Sequence, residues 1–432
     1  MSIYMQRVGR IIFFVLCALA GFPLLPVGAT SGLIALFFLL SIVTAISNYK
    51  TFNLKLSGEL LVYILPFLII FVWTIFIDGS SEAHFYLQRS LSLLVFPLSF
   101  FLLPFQFSLH QKNIFKIIFI TSTLLVLVYG EVTAIQFLFS HVGPNEFWAT
   151  PTEMFKHPSL SHLLRSTFEN TTTIHPTYAC LYLGVSFLFV FEYFLENFRE
   201  FTVSKNIGYA SLLIFIIVLQ VILASRTPFI GTVISAFILF VIYQKNKLYI
   251  LWAGIGIVVF TVLLFMLVPS FSARLKEISF ENFTLSTSKN ADSFNLRTGI
   301  YKCSIDIVEE NWLTGVGPGN VQAKLDECYG KISSTVYNER KYDTHNQFLD
   351  YWAGMGILAP LSLLFLLLFI SYKNLAAKNY IPFCLCILFF ASMLTENILI
   401  RHHGVVAFAF IMSFYIFTKS HKEELANHKP VK

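Results

Sequence analysis

The chain reads as a succession of apolar runs, each close to 20 residues, separated by short polar stretches. A helix rises about 1.5 Å per residue, so a run of that length crosses the roughly 30 Å hydrocarbon layer of a bilayer. Twelve runs qualify, at roughly 10–28, 31–47, 58–77, 86–104, 114–139, 174–194, 207–224, 228–243, 248–268, 346–371, 379–395 and 403–418. The predicted fold class is all-α: a polytopic membrane protein, a single integral membrane domain over 1–432. The seventh and eighth runs are parted only by Ala224-Ser-Arg-Thr-Pro228, where the arginine and proline predict a break rather than one long helix. The first run follows Arg7 and Arg10, as in a signal peptide. Further spans follow it and no small-x-small site closes it, so it is read as a retained first helix.

Lysine and arginine in the loops orient the helices. One set of loops carries Lys50, Lys55, Lys112, Lys116, Arg199, Lys205, Lys245, Lys247, Lys373 and Lys378. Arg7, Arg10 and the tail residues Lys419, Lys422, Lys429 and Lys432 fall on the same side. The opposite short loops hold only Arg226 and Arg401. Positive loops stay inside, so both termini are predicted cytoplasmic, and the longer polar segments 140–173 and 269–345 face outward.

The outer segment 269–345, between the ninth and tenth runs, is where water-borne chemistry belongs. Ile300, Cys303, Ile307 and Val308 recur at helical spacing and predict an amphipathic helix over about 296–311, with Arg297 in its first turn. Gly315-Val-Gly-Pro-Gly-Asn320 reads as a tight turn, with a backbone phosphate nest as the alternative. It lacks the Gly-Lys-Ser/Thr of a Walker loop and has no preceding strand. Asn320 is placed to cap a second helix bearing Val321, Leu325 and Cys328 on one face. The segment holds nine Lys/Arg against ten Asp/Glu, so anion binding there falls to particular arginines rather than bulk charge. Cys303 and Cys328 are a candidate disulfide joining the two short helices in an oxidising compartment. The other four cysteines lie in apolar runs as small fillers.

Composition agrees with the pattern. The chain is 56% hydrophobic and 12% charged, against roughly 25% charged in soluble domains. The formal charge of +6 follows loop topology and implies no nucleic-acid partner. No zinc-type Cys/His spacing occurs, so no metal is expected. The 48 phenylalanines and 19 tyrosines are read mostly as lipid contact and interface anchoring.

The candidate chemistry lies at outer helix ends. Arg226 is an anion ligand in an outward loop where positive charge is disfavoured; the bland alternative is a snorkelling arginine. Arg297 is a second anion ligand or a solvated helix residue. A guanidinium grips phosphate oxygens through a planar fork. His345, in Thr344-His-Asn-Gln347, is a general base for an attacking hydroxyl or an interfacial polar anchor. His175, Arg89, Glu396 and Arg401 are candidate cavity-lining groups, each with a structural reading as well.

Together these pieces resemble the O-antigen ligase/polymerase superfamily of bacterial cell envelopes. The resemblance rests on Ser225-Arg-Thr, Arg297-Thr-Gly-Ile-Tyr, Trp312-Leu-Thr-Gly-Val-Gly-Pro-Gly-Asn320, and Thr344-His-Asn-Gln followed by Leu349 and Gly354-Met-Gly-Ile357. It covers about 170–400; the first 170 residues are similar only in topology. It implies a metal- and cofactor-independent, inverting glycosyltransferase of lipopolysaccharide biosynthesis in the bacterial inner membrane, with a periplasmic active site. Such an enzyme moves a glycan from undecaprenyl diphosphate to an acceptor sugar such as lipid A–core. By the resemblance, Arg226 and Arg297 would hold the diphosphate and His345 would activate the acceptor hydroxyl. A repeat-unit polymerase on the same scaffold is the near alternative. Some polymerases carry an arginine followed eleven residues on by glycine, and the outer loops here lack that pattern, which favours the ligase. A polysaccharide or lipid transporter is the alternative from another class. Against it, the charged groups gather at outer helix ends and no internal repeat is seen.

Overall fold

In the computed structural model, residues 3–48, 57–142, 158–267, 293–332, 335–338 and 341–418 are described. The start of the outer segment, 269–292, and the basic residues Lys50, Lys55, Lys419, Lys422, Lys429 and Lys432 lie outside them. Among the described residues the regular elements are helices, with no strand. In chain order they are α1 (Ile3–Ala20), α2 (Val27–Ser47), α3 (Gly58–Trp73), α4 (Ser81–Ser90), α5 (Ser92–Phe101), α6 (Leu109–Val142), α7 (Pro158–Thr172), α8 (Pro176–Asn197) and α9 (Val203–Leu223). They continue as α10 (Arg226–Tyr243), α11 (Lys247–Leu267), α12 (Ser293–Glu310), α13 (Val321–Lys331), α14 (Gln347–Met355), α15 (Leu358–Ala376), α16 (Tyr380–Met393) and α17 (His402–Phe417). A π-turn, Thr74–Asp78, extends α3.

Among the described residues, seven stretches are long and apolar enough to cross a membrane: α2, α3 with its π-turn, α6 over Leu109–Ser140, α8, α9, α10 and α15. Helices α16 and α17 are apolar but shorter. The protein is thus an all-α, multi-pass membrane protein.

Among the described residues, three of the twelve predicted runs are broken. The run 10–28 gives way after Ala20 to a 3-10 turn at Phe22–Leu24 and then to α2. The run 86–104 divides into a polar α4, capped where Ser80 Oγ accepts from Ala83 N at 3.1 Å, and a separate ten-residue α5. The run 346–371 breaks at Gly356, where φ is +70° and ψ −175°. That backbone region is essentially reserved for glycine. The carbonyl of Leu313 also occupies the space a Cβ would take. The break is therefore forced by packing against the Leu313–Thr314 backbone. Gly356→Ala is expected to cost at least about 1–3 kcal/mol, read as a lower Tm of the purified protein; an unchanged Tm would refute this account of the break.

The chain forms two compact units: Met1–Ile118 with Phe283–Cys386 and Ser392–Lys432, and Phe119–Asn282 with Ile387–Ala391. The first is built around α17. From Val405 to Met412 every residue is at most 1% exposed, as suits a helix apolar on all sides. Phe410 meets Phe96 at 5.0 Å and Phe115 at 5.2 Å between ring centroids, and Phe414 stacks on Phe115 at 4.1 Å. Phenylalanine therefore serves as core here as well as exposed surface such as Phe14 and Phe76. In the second unit α8 is the most buried spanning helix, and α9 and α10 pack against it.

Candidate active site

The lobe built from α12, α13 and α14 is fixed by its own core. Ile300, Cys303, Ile307 and Val308 of α12 pack with Val321, Leu325 and Tyr329 of α13, with Tyr337, and with Ala353 of α14. A disulfide joins Cys303 to Cys328, with Cα atoms 5.8 Å apart. Asn320 precedes α13 but makes no side-chain cap; its amide donates instead to Val316 O at 3.0 Å.

The glycine turn is a clasp. Val316 N and Gly317 N donate to the carbonyls of Ala353 and Gly354 at 2.8 and 2.9 Å, and Gly319 N donates to Asp78 Oδ2 at 2.7 Å. Gly315 (φ +66°) and Gly317 (φ +94°) have no room for a Cβ against α14 and Asp78. Its amides thus already meet carbonyls and an internal carboxylate. The arrangement serves packing rather than a phosphate nest.

The clasp holds α14 in the lobe, and α14 sets the preceding loop. Asn346 Oδ1 caps α14 by accepting from Phe348 N and Leu349 N at 2.9 and 3.1 Å. Its amide donates to Leu394 O at 3.1 Å. His345 therefore emerges one residue before a pinned cap. Its backbone has φ +44°, uncommon for a non-glycine residue. Tyr301 Oη donates to its carbonyl at 3.3 Å.

Around His345 runs an alternating chain of charges. Arg297 Nη2 lies 3.5 Å from Glu396 Oε1 and donates to Thr395 O at 3.3 Å. Glu396 Oε2 lies 3.4 Å from His345 Nδ1. Asp343 Oδ1 lies 3.6 Å from that nitrogen and accepts from His345 N at 3.0 Å. Asp343 Oδ2 accepts from Arg401 Nη2 at 3.1 Å. His345 is 26% exposed and Arg401 62%. Burial alone would lower the basicity of His345. Hydrogen bonding and charge from Glu396, with charge from Asp343, outweigh both that burial and Arg297, so its pKa lies above the ordinary value. A carboxylate facing Nδ1 selects the tautomer protonated there and leaves Nε2 as the basic atom. Among the described residues, no cluster of His, Cys, Asp and Glu is arranged to hold a metal ion.

Arg297, His345, Glu396 and Arg401 thus form one contiguous group. Asp343, not singled out in the sequence, belongs to it; its only local signal is standing two residues before His345. Arg89 is exposed in the last turn of α4, and no described contact joins it to this group. Arg226 and His175 belong to the second unit. Arg226 is the first residue of α10, directly after the chain turns through Ala224 (φ +50°). Gln220 Nε2 donates to Cys180 O at 3.0 Å, and Ser225 Oγ donates to Thr177 Oγ1 at 3.3 Å, fixing this turn on α8. His175 is the N-cap of α8: its Nδ1 accepts from Thr177 N at 3.3 Å. Arg226 and His175 therefore stand at the same end of their unit.

A family model described as O-antigen ligase matches residues 210–364. The matched stretch contains Arg226, Arg297, the glycine clasp and His345. No curated protein matches the chain. The segment that carries these groups is thus similar to the O-antigen ligase family, in a chain that is otherwise a multi-pass membrane protein.

Proposed function

We propose that the protein is an O-antigen ligase, a metal-independent inverting glycosyltransferase working at the periplasmic face of the bacterial inner membrane. The observation that carries this reading is the Arg297–Glu396–His345 chain, two members of which lie within the family-matched stretch. The donor is a glycan on undecaprenyl diphosphate and the acceptor is a sugar hydroxyl of lipid A–core. The disulfide Cys303–Cys328 supports an oxidising compartment for the outer lobe, with both termini cytoplasmic.

His345 Nε2 takes the proton of the acceptor hydroxyl as its oxygen attacks the anomeric carbon. The bond from that carbon to the phosphate oxygen breaks, and its electron pair leaves with undecaprenyl diphosphate. Attack opposite the leaving group inverts the anomeric centre. Negative charge grows on the diphosphate, and the guanidinium group of Arg297 neutralises it. Glu396 holds Nδ1–H and stabilises the imidazolium as it forms.

The base must be neutral to act, and Glu396 and Asp343 favour its charged form. The transfer rate should therefore rise with pH through a midpoint above the ordinary histidine value of about 6.5. Glu396→Gln should move that midpoint toward acid. A rate that is flat across this range, or a midpoint below the ordinary value, would contradict His345 as the base. Deleting the gene tests the activity in the cell: a lost ligase leaves bare lipid A–core. Core carrying one repeat unit would show a polymerase instead. Purified protein that carries lipid across vesicles without transferring glycan would show a transporter.

A further inference from the structure

A second polar group lies directly behind the His345–Glu396 pair. Asn397 follows Glu396 and is 2% exposed; Thr344 precedes His345 and is fully buried. Thr344 Oγ1 donates to Asn397 Oδ1 at 3.0 Å. Asn397 Nδ2 is 3.5 Å from Asp350 Oδ1, and Asp350 Oδ2 accepts from Tyr86 Oη at 2.7 Å. Next to them, Gln347 Oε1 accepts from Leu399 N at 2.6 Å. One amide thus ties together the loop that carries His345, the loop that carries Glu396, and helices α14 and α4. Cutting that tie leaves each catalytic-side loop held by fewer bonds, while the apolar core of the unit stays in place.

Resting on the function proposed above, we infer that Asn397, seated on Asp350 and Tyr86, is a positioning residue that sets the spacing of His345 and Glu396. Two features support it. The left-handed backbone of His345 is a conformation kept only where its surroundings over-determine it, and the Thr344–Asn397 bond is one of the nearest constraints. Asn397 is also held from both ends of its amide, with Nδ2 3.5 Å from Asp350 Oδ1 and Oδ1 accepting from the Thr344 hydroxyl. The charged and titratable groups facing His345 are Arg297 and Tyr301 from α12, Asp343 from its own loop, and Glu396, with Arg401 acting through Asp343. Loss of the tie lets Glu396 move away from Nδ1, which weakens the support of the imidazolium.

The test is the pH dependence of diethylpyrocarbonate modification of His345 in the full-length protein, read by mass spectrometry of its peptide. This readout needs no glycan transfer. In Asn397→Leu, which keeps the volume and removes both bonds, the His345 midpoint should fall by roughly half a unit or more. Thr344→Val should shift it the same way, while Thr344→Ser, which keeps the hydroxyl, should match wild type. With donor and acceptor present, Asn397→Leu should lower kcat about 10–100-fold with little change in donor KM. Wild-type midpoints in both Asn397→Leu and Thr344→Val would overturn the inference. If Asn397→Leu fails to fold, the Thr344→Val and Thr344→Ser pair decides alone. Absence of transfer by wild-type protein would refute the proposed function, and the midpoints would still judge the positioning role.

Discussion

Replacing His345 with alanine should reduce glycan transfer by about 10²–10⁴-fold, the usual loss when a general base is removed, while donor binding persists. The expectation follows from the division of labour in the site. His345 Nδ1 faces Glu396 and Asp343, which leaves Nε2 for a substrate proton. The proposed roles give the proton to His345 and the phosphates to arginine. The substitution removes proton transfer and leaves the guanidinium groups. Kinetics should show kcat falling with donor KM held, and a direct binding measurement should give a donor Kd close to wild type. Normal turnover in His345→Ala would remove the base assignment. Loss of donor binding would make His345 a ligand instead.

Arg297→Lys should raise the barrier by about 2.7–4 kcal/mol, a loss of about 10²–10³-fold in kcat. Lysine keeps the charge but offers one point donor in place of a planar fork. The loss therefore measures geometry rather than net charge. Arg297 carries an added consequence. Its guanidinium is held 3.5 Å from Glu396, the same carboxylate that faces His345. An ammonium at position 297 would pair with Glu396 differently, so the pH midpoint should shift in Arg297→Lys along with kcat. Equal rates for wild type and Arg297→Lys would dismiss Arg297 as a diphosphate ligand.

The apolar runs along the chain were legible as helices because their length and composition are local properties. Their interruptions were not. Gly356 stands where the Leu313 carbonyl, 43 residues away, excludes a Cβ, and no window of sequence carries that contact. Asn320 has the residue type of a helix cap, but its amide is drawn to Val316 O. The phenylalanines show the same limit from another side. Phe115 and Phe410 are as apolar as Phe14 and Phe76, and only packing decides which of them face each other. In the site, Arg297, His345, Glu396 and Arg401 stood out one by one as polar groups at helix ends. Their contact spans 99 residues from Arg297 to Glu396 and 51 from His345 to Glu396, beyond any helical spacing. Asp343 and Asn397 were not singled out, since an aspartate in a polar loop and an asparagine after a glutamate carry no local signature. Their roles exist only through partners brought in by the fold.

The most direct measurement is the stereochemistry of one turnover. Purified protein would be given a glycan on undecaprenyl diphosphate of known anomeric configuration, together with lipid A–core, and the new glycosidic bond assigned by NMR. A single displacement by a hydroxyl that His345 has deprotonated predicts inversion at that carbon. Retention, or no transfer at all, would contradict the account.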